Sequence, residues 1–367
     1  MVAVVHSPVK PEKLAATAVA LTERELVVPT LFAKKGIEDF KGAKDDTLNV
    51  KVPGILPAVK AAVAAGHRRV IVPAENAEEA ALIPGAQELI LDPYKERKIA
   101  VRFGGNAYSA TSLTDEEWEF DFNGWGTSIL PAQAHAVARK LEYGAVNALK
   151  TGKYTVEIGA KENNVLKDII EARRALNRLG ASKVSRTLVV GSDWDTLLQS
   201  ADFVKAASVG DKLAETAFAD AVLGKVKGFN IVVSEDLPAD EAYALAGDAF
   251  IFLNAAPHVP ESVKGATSIS DSGISMRWLR DYDAMRQQER STVNTWYGFQ
   301  QVLDPVVYWD EAAGVEKISD DQYALRAVKL KLGGTDKYFA EGSDKVAVGK
   351  ALGLDKRSKH TTAAVSA

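Results

Sequence analysis

Between Thr127 and Gly152 the sequence carries one long amphipathic stripe, and few folds can house it. Leu130, Ala134, Val137, Leu141, Ala145 and Leu149 follow the three-to-four spacing of a single helix face. Thr127 or Ser128 can cap the first turn, and Gly152 stands where a helix commonly stops. At 1.5 Å per residue such a helix is on the order of 35 Å long, enough to be the spine of a domain. What precedes it is equally regular. Lys98, Ala100 and Arg102 alternate with Ile99, Val101 and Phe103, the period of a half-buried strand, and Gly104, Gly105 and Asn106 then punctuate it. A second short strand is expected from Tyr108 to Leu113. The acidic run Asp115, Glu116, Glu117, Glu119 and Asp121 follows, with Trp118, Phe120 and Phe122 set into it so that one edge can be buried.

The segment before these strands has a different character. From Met1 to about Asp46 there are three short apolar clusters, Ala15 to Leu21, Leu26 to Phe32 and Ile37 to Phe40, none long enough to make its own core. This predicts an extended arm that buries its apolar groups against another body, its own or a neighbour's. Thr47 to Pro53 alternates as a strand and can pair with Lys98 to Phe103 at the base of an antiparallel ribbon. The intervening stretch from Gly54 to Ile90 reads as helix, short buried strand and helix, with Gly66 as a stop and Pro73 and Pro84 as breakers.

After the long helix, Tyr154 to Ile158 reads as a strand. Val165, Leu166, Ile169, Ala172, Leu176 and Leu179 mark a second amphipathic helix that stops at Gly180. Short strands and helices then alternate: Thr187 to Val190, a helix from Asp193 to Val204, Asn230 to Val233, a helix about Asp240 to Ala246, and Phe250 to Leu253. That order predicts a compact α/β body with a mainly buried sheet. Ser291 to Val302 and Val306 to Trp309 read as strands returning to the spine helix, and Tyr323 to Leu332 as a last strand.

Composition excludes more than it selects. The chain has 367 residues, room for two or three domains, and its 47% hydrophobic and 26% charged residues are those of a globular protein. Without cysteine there is no disulfide, thiolate chemistry, Cys-based zinc site or iron-sulfur cluster. No apolar run approaches the roughly 20 residues that span a bilayer, and the start lacks the order of a secretory signal, so no membrane partner is expected. Net charge is −4, which leaves only local contact with nucleic acid. Lys10, Lys13, Lys34, Lys35, Lys41 and Lys44 near the start, with Lys350, Lys356, Arg357, Lys359 and His360 near the end, are the candidates for phosphate contact; each alone reads as a solvated side chain.

No constellation carries catalysis, so no catalytic, cofactor-binding or metal residue is assigned. His6, His67, His135, His258 and His360 show no metal-ligand spacing, and His67 suits a helix end. The acidic run lacks the glycine and spacing of a calcium loop and reads better as a solvated or intersubunit salt-bridge face. Gly104-Gly105, Gly124-Trp125-Gly126 and Gly333-Gly334 stand in no phosphate-loop pattern and read as turns. Arg277, Arg280, Asp281, Asp283, Arg286, Glu289 and Arg290, interleaved with Trp278 and Tyr282, form a mixed-sign cluster. It reads either as an interface that fixes register between partners or as an exposed loop.

Three stretches carry a family resemblance: YKERKIAVRFGGNAYSATSLTDEE, DFNGWG and SMRWLRDYDAMRQQERSTVNTWYGFQQVLDP. With the ribbon and spine order, they resemble the major capsid protein of tailed bacteriophages, the Hong Kong 97 type, in its actinobacteriophage group. The resemblance covers about Ser7 to Pro57 and Asp92 to Trp309. It implies an α+β fold divided into an N-terminal arm (1–46), an extended β-ribbon loop (47–103), a peripheral domain with the spine helix (104–186), an α/β axial domain (187–290), a return to the peripheral domain (291–311) and a C-terminal segment (312–367). It also implies a structural function without catalysis or cofactor. The chain would join copies of itself as hexamers and pentamers of an icosahedral virion shell around double-stranded DNA held non-specifically, assembled in the host bacterial cytoplasm with scaffold, portal and decoration proteins as further partners.

Residues 54–90 instead resemble a unit of Lon-type proteolytic domains and magnesium-chelatase-like competence ATPases, through LPA, AAGHRRVIVPAEN and EAALIPGA. An insertion at the ribbon tip and a mosaic sequence both remain open there. No Ser/Lys framework or phosphate loop accompanies it, which argues against a hydrolase or ATPase. Because the tip departs from the family pattern, no Lys or Asn is assigned to an intersubunit isopeptide bond. The same fold would also serve an encapsulin, a bacterial compartment shell around cargo enzymes.

Overall fold

The long stripe folds as a helix, α1, over Ile129–Thr151, and its six apolar positions are each 1% exposed or less. The computed structural model describes residues 18, 26–36, 47–52, 97–114, 129–200, 225–261, 263, 265–271, 274–310, 315–339 and 348–358. Before α1 come a 3-10 turn Pro29–Leu31 and strands β1 Ala33–Lys35, β2 Thr47–Val52, β3 Arg97–Arg102 and β4 Gly105–Thr114. After it come β5 Val156–Ala160, α2 Val165–Arg178, β6 Thr187–Val190, α3 Ser192–Ser200, β7 Lys225–Val226, β8 Phe229–Val233, β9 Glu241–Leu245 and β10 Phe250–Ala255. The rest is strand: β11 Gly265–Asp271, β12 Ile274–Asp283, β13 Gln288–Gln301, β14 Asp304–Asp310, β15 Val315–Tyr323, β16 Ala327–Leu332 and β17 Lys337–Tyr338.

A first sheet, ordered β1-β10-β13-β12-β11, is built around β13, which also pairs with β4 along its other edge. The length of β13 allows this: Trp296 to Gln301 pairs with β10, Gln288 to Asn294 with β12, and Gln288 to Tyr297 with β4. α1 packs on one face of this sheet, where Gln133 exchanges hydrogen bonds with Ser291, donating Nε2 to its carbonyl at 2.9 Å and accepting from its hydroxyl at 2.8 Å. Val293, Phe250 and Phe252 share the α1 core, and the Phe252 ring stacks on Phe299 at 5.0 Å.

A second sheet, ordered β17-β5-β16-β9-β6-β8-β7, carries α2 and α3 on one face. Ile169, Leu176 and Trp194 of the helices meet Ile158, Leu188, Val190, Ala242, Ala244, Val328 and Leu330 there. The alternate residues Val189, Tyr243, Leu245 and Ala327 point the other way and join the α1 core. Both faces are therefore buried, as in a sheet covered on two sides.

That double burial explains the main departures from the sequence reading. The helix expected about Asp240 to Ala246 is strand β9, hydrogen-bonded to β16 on one side and β6 on the other, with all five residues buried. Its Glu, Ala and Leu favour a helix in isolation, but two ladders outweigh a preference of a few tenths of a kcal/mol per residue. Phe250 to Leu253 does not stay with the α/β strands; β10 pairs with β13 in the first sheet. Tyr323 to Leu332 is two strands, since β15 ends at Tyr323 and pairs with β14 while β16 starts at Ala327. Among the described residues α3 ends at Ser200. Residues 54–90 and the acidic run 115–121 lie outside the described residues.

Candidate assembly surfaces

The ribbon base forms as its alternation required. β2 pairs antiparallel with β3 from Thr47↔Arg102 to Val52↔Arg97. Ile99, Val101 and Phe103 seat this base on Ile251, Leu253 and Val302, the face of the first sheet turned away from α1. Gly298 permits the close approach, because a side-chain carbon there would run into the Arg102 carbonyl. Beyond the seat the same face carries Trp296, 40% exposed and 6.1 Å from the Phe103 ring centroid, and Tyr108, 67% exposed. Tyr108 lies opposite Asn294 and Trp296 opposite Asn106, so the two aromatics are diagonal neighbours on one outer surface.

The middle N-terminal cluster, Leu26 to Phe32, finds its surface within the chain. Leu26, Val28 and Phe32 are buried in the α1 core, Phe32 stacks on Phe250 at 5.0 Å, and β1 pairs parallel with β10. The Glu142 carboxylate, from the middle of α1, accepts the backbone N–H groups of Val27 and Val28, each at 3.0 Å. It caps the 3-10 turn that Val28 itself leaves without a side-chain cap. Burial raises the Glu142 pKa above the ordinary carboxylate value, and the two backbone hydrogen bonds oppose the rise. Of the two bodies that could cover an arm of this kind, Leu26 to Phe32 takes its own chain's.

The mixed-sign cluster resolves into the tip of the β12–β13 hairpin. Asp281 lies opposite Arg290, whose guanidinium reaches Asp281 at 2.5 Å and Asp283 at 3.5 Å, and Arg280 pairs with Glu289. Arg277 donates to Asn294 at 3.1 Å and to the His258 carbonyl. Trp278 faces inward and donates its indole N–H to Ser291 at 2.9 Å, so it is core and not an interface aromatic. The charges pair across the hairpin's own two strands, and the tip presents Met285, 96% exposed.

At the other end of the chain Arg357 does not serve as a phosphate-facing cation. Its side chain is largely buried, paired with the fully buried Asp168 and within 3.4 Å of Asp336. Beside it Glu171, also fully buried, takes a fork of hydrogen bonds from Arg174 and one from the Tyr338 hydroxyl at 2.9 Å. Arg174 continues to the carbonyls of Gly353 and Lys356, at 2.9 and 3.1 Å. Residues 348–358 are thereby latched onto α2. Sequence spacing gave no sign of either the latch or Glu142, because each joins residues more than a hundred positions apart. Lys350 and Lys356 are exposed, Lys34 and Lys35 half-buried, and Lys10, Lys13, Lys41, Lys44, Lys359 and His360 lie outside the described residues.

His135 is half-buried on α1 and His258 exposed, while His6 and His67 lie outside the described residues. Among the described residues no group of three His, Cys, Asp or Glu is placed to hold a metal, and no helix is long and apolar enough to cross a membrane. Gly333 and Gly334 form a turn with Gly333 at φ 66°, while Gly124 to Gly126 lie outside the described residues.

Residues 108–286 match the Phage capsid protein family. The fold is similar to that of a chain from Mycobacterium phage Che8, with a TM-score of 0.52 at 13% identity over 83% of this chain and 90% of that one. It is similar also to the mature capsid of bacteriophage PhiM1 (TM-score 0.51, 14% identity, 84% of this chain and 87% of that). The capsid of the cyanophage P-SCSP1u gives a TM-score of 0.51 at 12% identity over 83% of this chain and 87% of that one. No curated protein matches the sequence. Family match and fold together support one class, that of the structural major capsid proteins of tailed bacteriophages. That class is a structural family and not an enzyme family, and the match favours the virion over the bacterial compartment.

Proposed function

We propose that this chain self-assembles into hexamers and pentamers of an icosahedral shell that encloses double-stranded phage DNA, built in the host cytoplasm before it becomes the virion wall. The observation that carries the reading is the phage capsid match over residues 108–286, on a body that seats a paired ribbon base, leaves Trp296 and Tyr108 exposed beside it and presents Met285 at a hairpin tip. A standard interface buries roughly 1,600 Å². A subunit that meets several neighbours at once turns such contacts into a stable closed shell by raising effective concentration. Apolar burial and matched charge supply the free energy, and no turnover is needed. Scaffold, portal and decoration proteins fit the same reading as partners.

Light scattering and negative-stain microscopy of the purified full chain test it. Closed shells or capsomer-sized oligomers are the expected result. A monodisperse monomer under all assembly conditions overturns the reading.

A further inference from the structure

Charge is sorted across the long helix. α1 contains one carboxylate, Glu142, and it is turned inward to the backbone of Val27 and Val28. The exposed charges are therefore all basic: Arg139, Lys140 and Lys150. At 3.6 residues per turn these three and Tyr143 fall within about 100° of one another around the axis, on the side away from the buried stripe. Tyr143, 56% exposed, sits between them with a hydroxyl that can donate to an anion. None of the three cations is engaged in an ion pair among the described residues. In a chain of net charge −4 this is a local reversal of sign.

Resting on the shell reading above, we propose that the solvent face of α1 binds the phosphate backbone of the enclosed double-stranded DNA through Arg139, Lys140 and Lys150. The cations spread over about 16 Å of helix axis, while a duplex carries one negative charge per roughly 1.7 Å, so phosphates are in reach whatever the base sequence. A rigid helix holds the charges in place, and nothing on this face reads base edges. The contact is electrostatic and sequence-independent, suited to a wall that must accept any genome.

The test compares the full chain with the triple variant R139A/K140A/K150A, each unassembled at nanomolar concentration, by fluorescence anisotropy with duplex DNA over a range of salt. Each lost phosphate contact lowers the slope of log affinity against log salt by about 0.9, so the triple variant should lose about 2.7. A control triple, K331A/K337A/K356A, removes equal charge from cations that already face acids and should keep its slope. Circular dichroism checks folding, and the single variant K150A, expected to lose about 0.9, carries the test if the triple variant misfolds. A slope unchanged in the α1 variants, or lost equally in the control, overturns the inference. Binding lost toward polyglutamate but kept toward DNA also overturns it, making the face a dock for acidic protein. Microscopy separates the two levels: shells with an unchanged slope leave the shell reading standing, while a lost slope without shells in the parent protein removes that reading and leaves a phosphate-binding helix.

Discussion

Glu142 stands in the helix stripe one position after Leu141, where a glutamate reads as surface. Its carboxylate instead lies under the chain's N-terminal segment and accepts two backbone N–H groups that have no other acceptor among the described residues. Replacing it by alanine leaves those donors without an acceptor and should cost about 1 to 3 kcal/mol. Glu142→Gln keeps an acceptor oxygen and removes the buried charge, so its cost should be smaller. The sign of the pH dependence follows from the raised pKa. Between the unfolded and folded values the folded state binds more protons, so stability is present at the acid end and falls as pH rises through the folded pKa. Thermal unfolding of both proteins from about pH 4 to 7 should show the parent losing ground to the glutamine variant as pH rises. Parallel curves would mean that Glu142 titrates like an exposed carboxylate.

At the scale of elements, the helices were legible and the strands only partly so. α1 and α2 show their buried faces through a 3.6-residue period, which a reader of spacing detects without knowing the partner. Leu141 and Lys140 illustrate this: one is fully buried and the other exposed, although they are adjacent. Leu141→Ala should therefore cost about 2 to 5 kcal/mol and Lys140→Ala about half a kcal/mol or less, by chemical denaturation of the purified variants. Equal costs would place the helix face wrongly. β9 gave no such signal, because a strand buried on both faces loses its alternation and Glu-Ala-Tyr-Ala-Leu is compatible with a helix. The charged hairpin of β12 and β13 was visible as a cluster, but its cross-strand partners were not, since register is a property of pairing.

For the whole molecule, the N-terminal segment is the telling case. Short apolar clusters announce that something must cover them, yet cannot say whether the cover is the same chain or another. Val28 and Phe32 lie in the α1 core. Deleting Met1 to Lys44 should thus lower the thermal midpoint of the body as well as prevent shells, with circular dichroism reporting the first and microscopy the second. Phe32→Ala alone should cost about 3 to 5 kcal/mol. An unchanged midpoint in the deletion would return the cluster to a neighbouring subunit. Periodicity and turn residues were sufficient for the spine helix and for each strand of the ribbon base, because a helix face and a strand's alternation depend on residues close in sequence. The seat of the ribbon on Gly298, the inward turn of Glu142, the latch of Arg357 on Asp168 and the two-sided burial of β9 required the folded chain. They arise where distant segments meet, and their free energy comes from desolvation and pairing that no local spacing encodes.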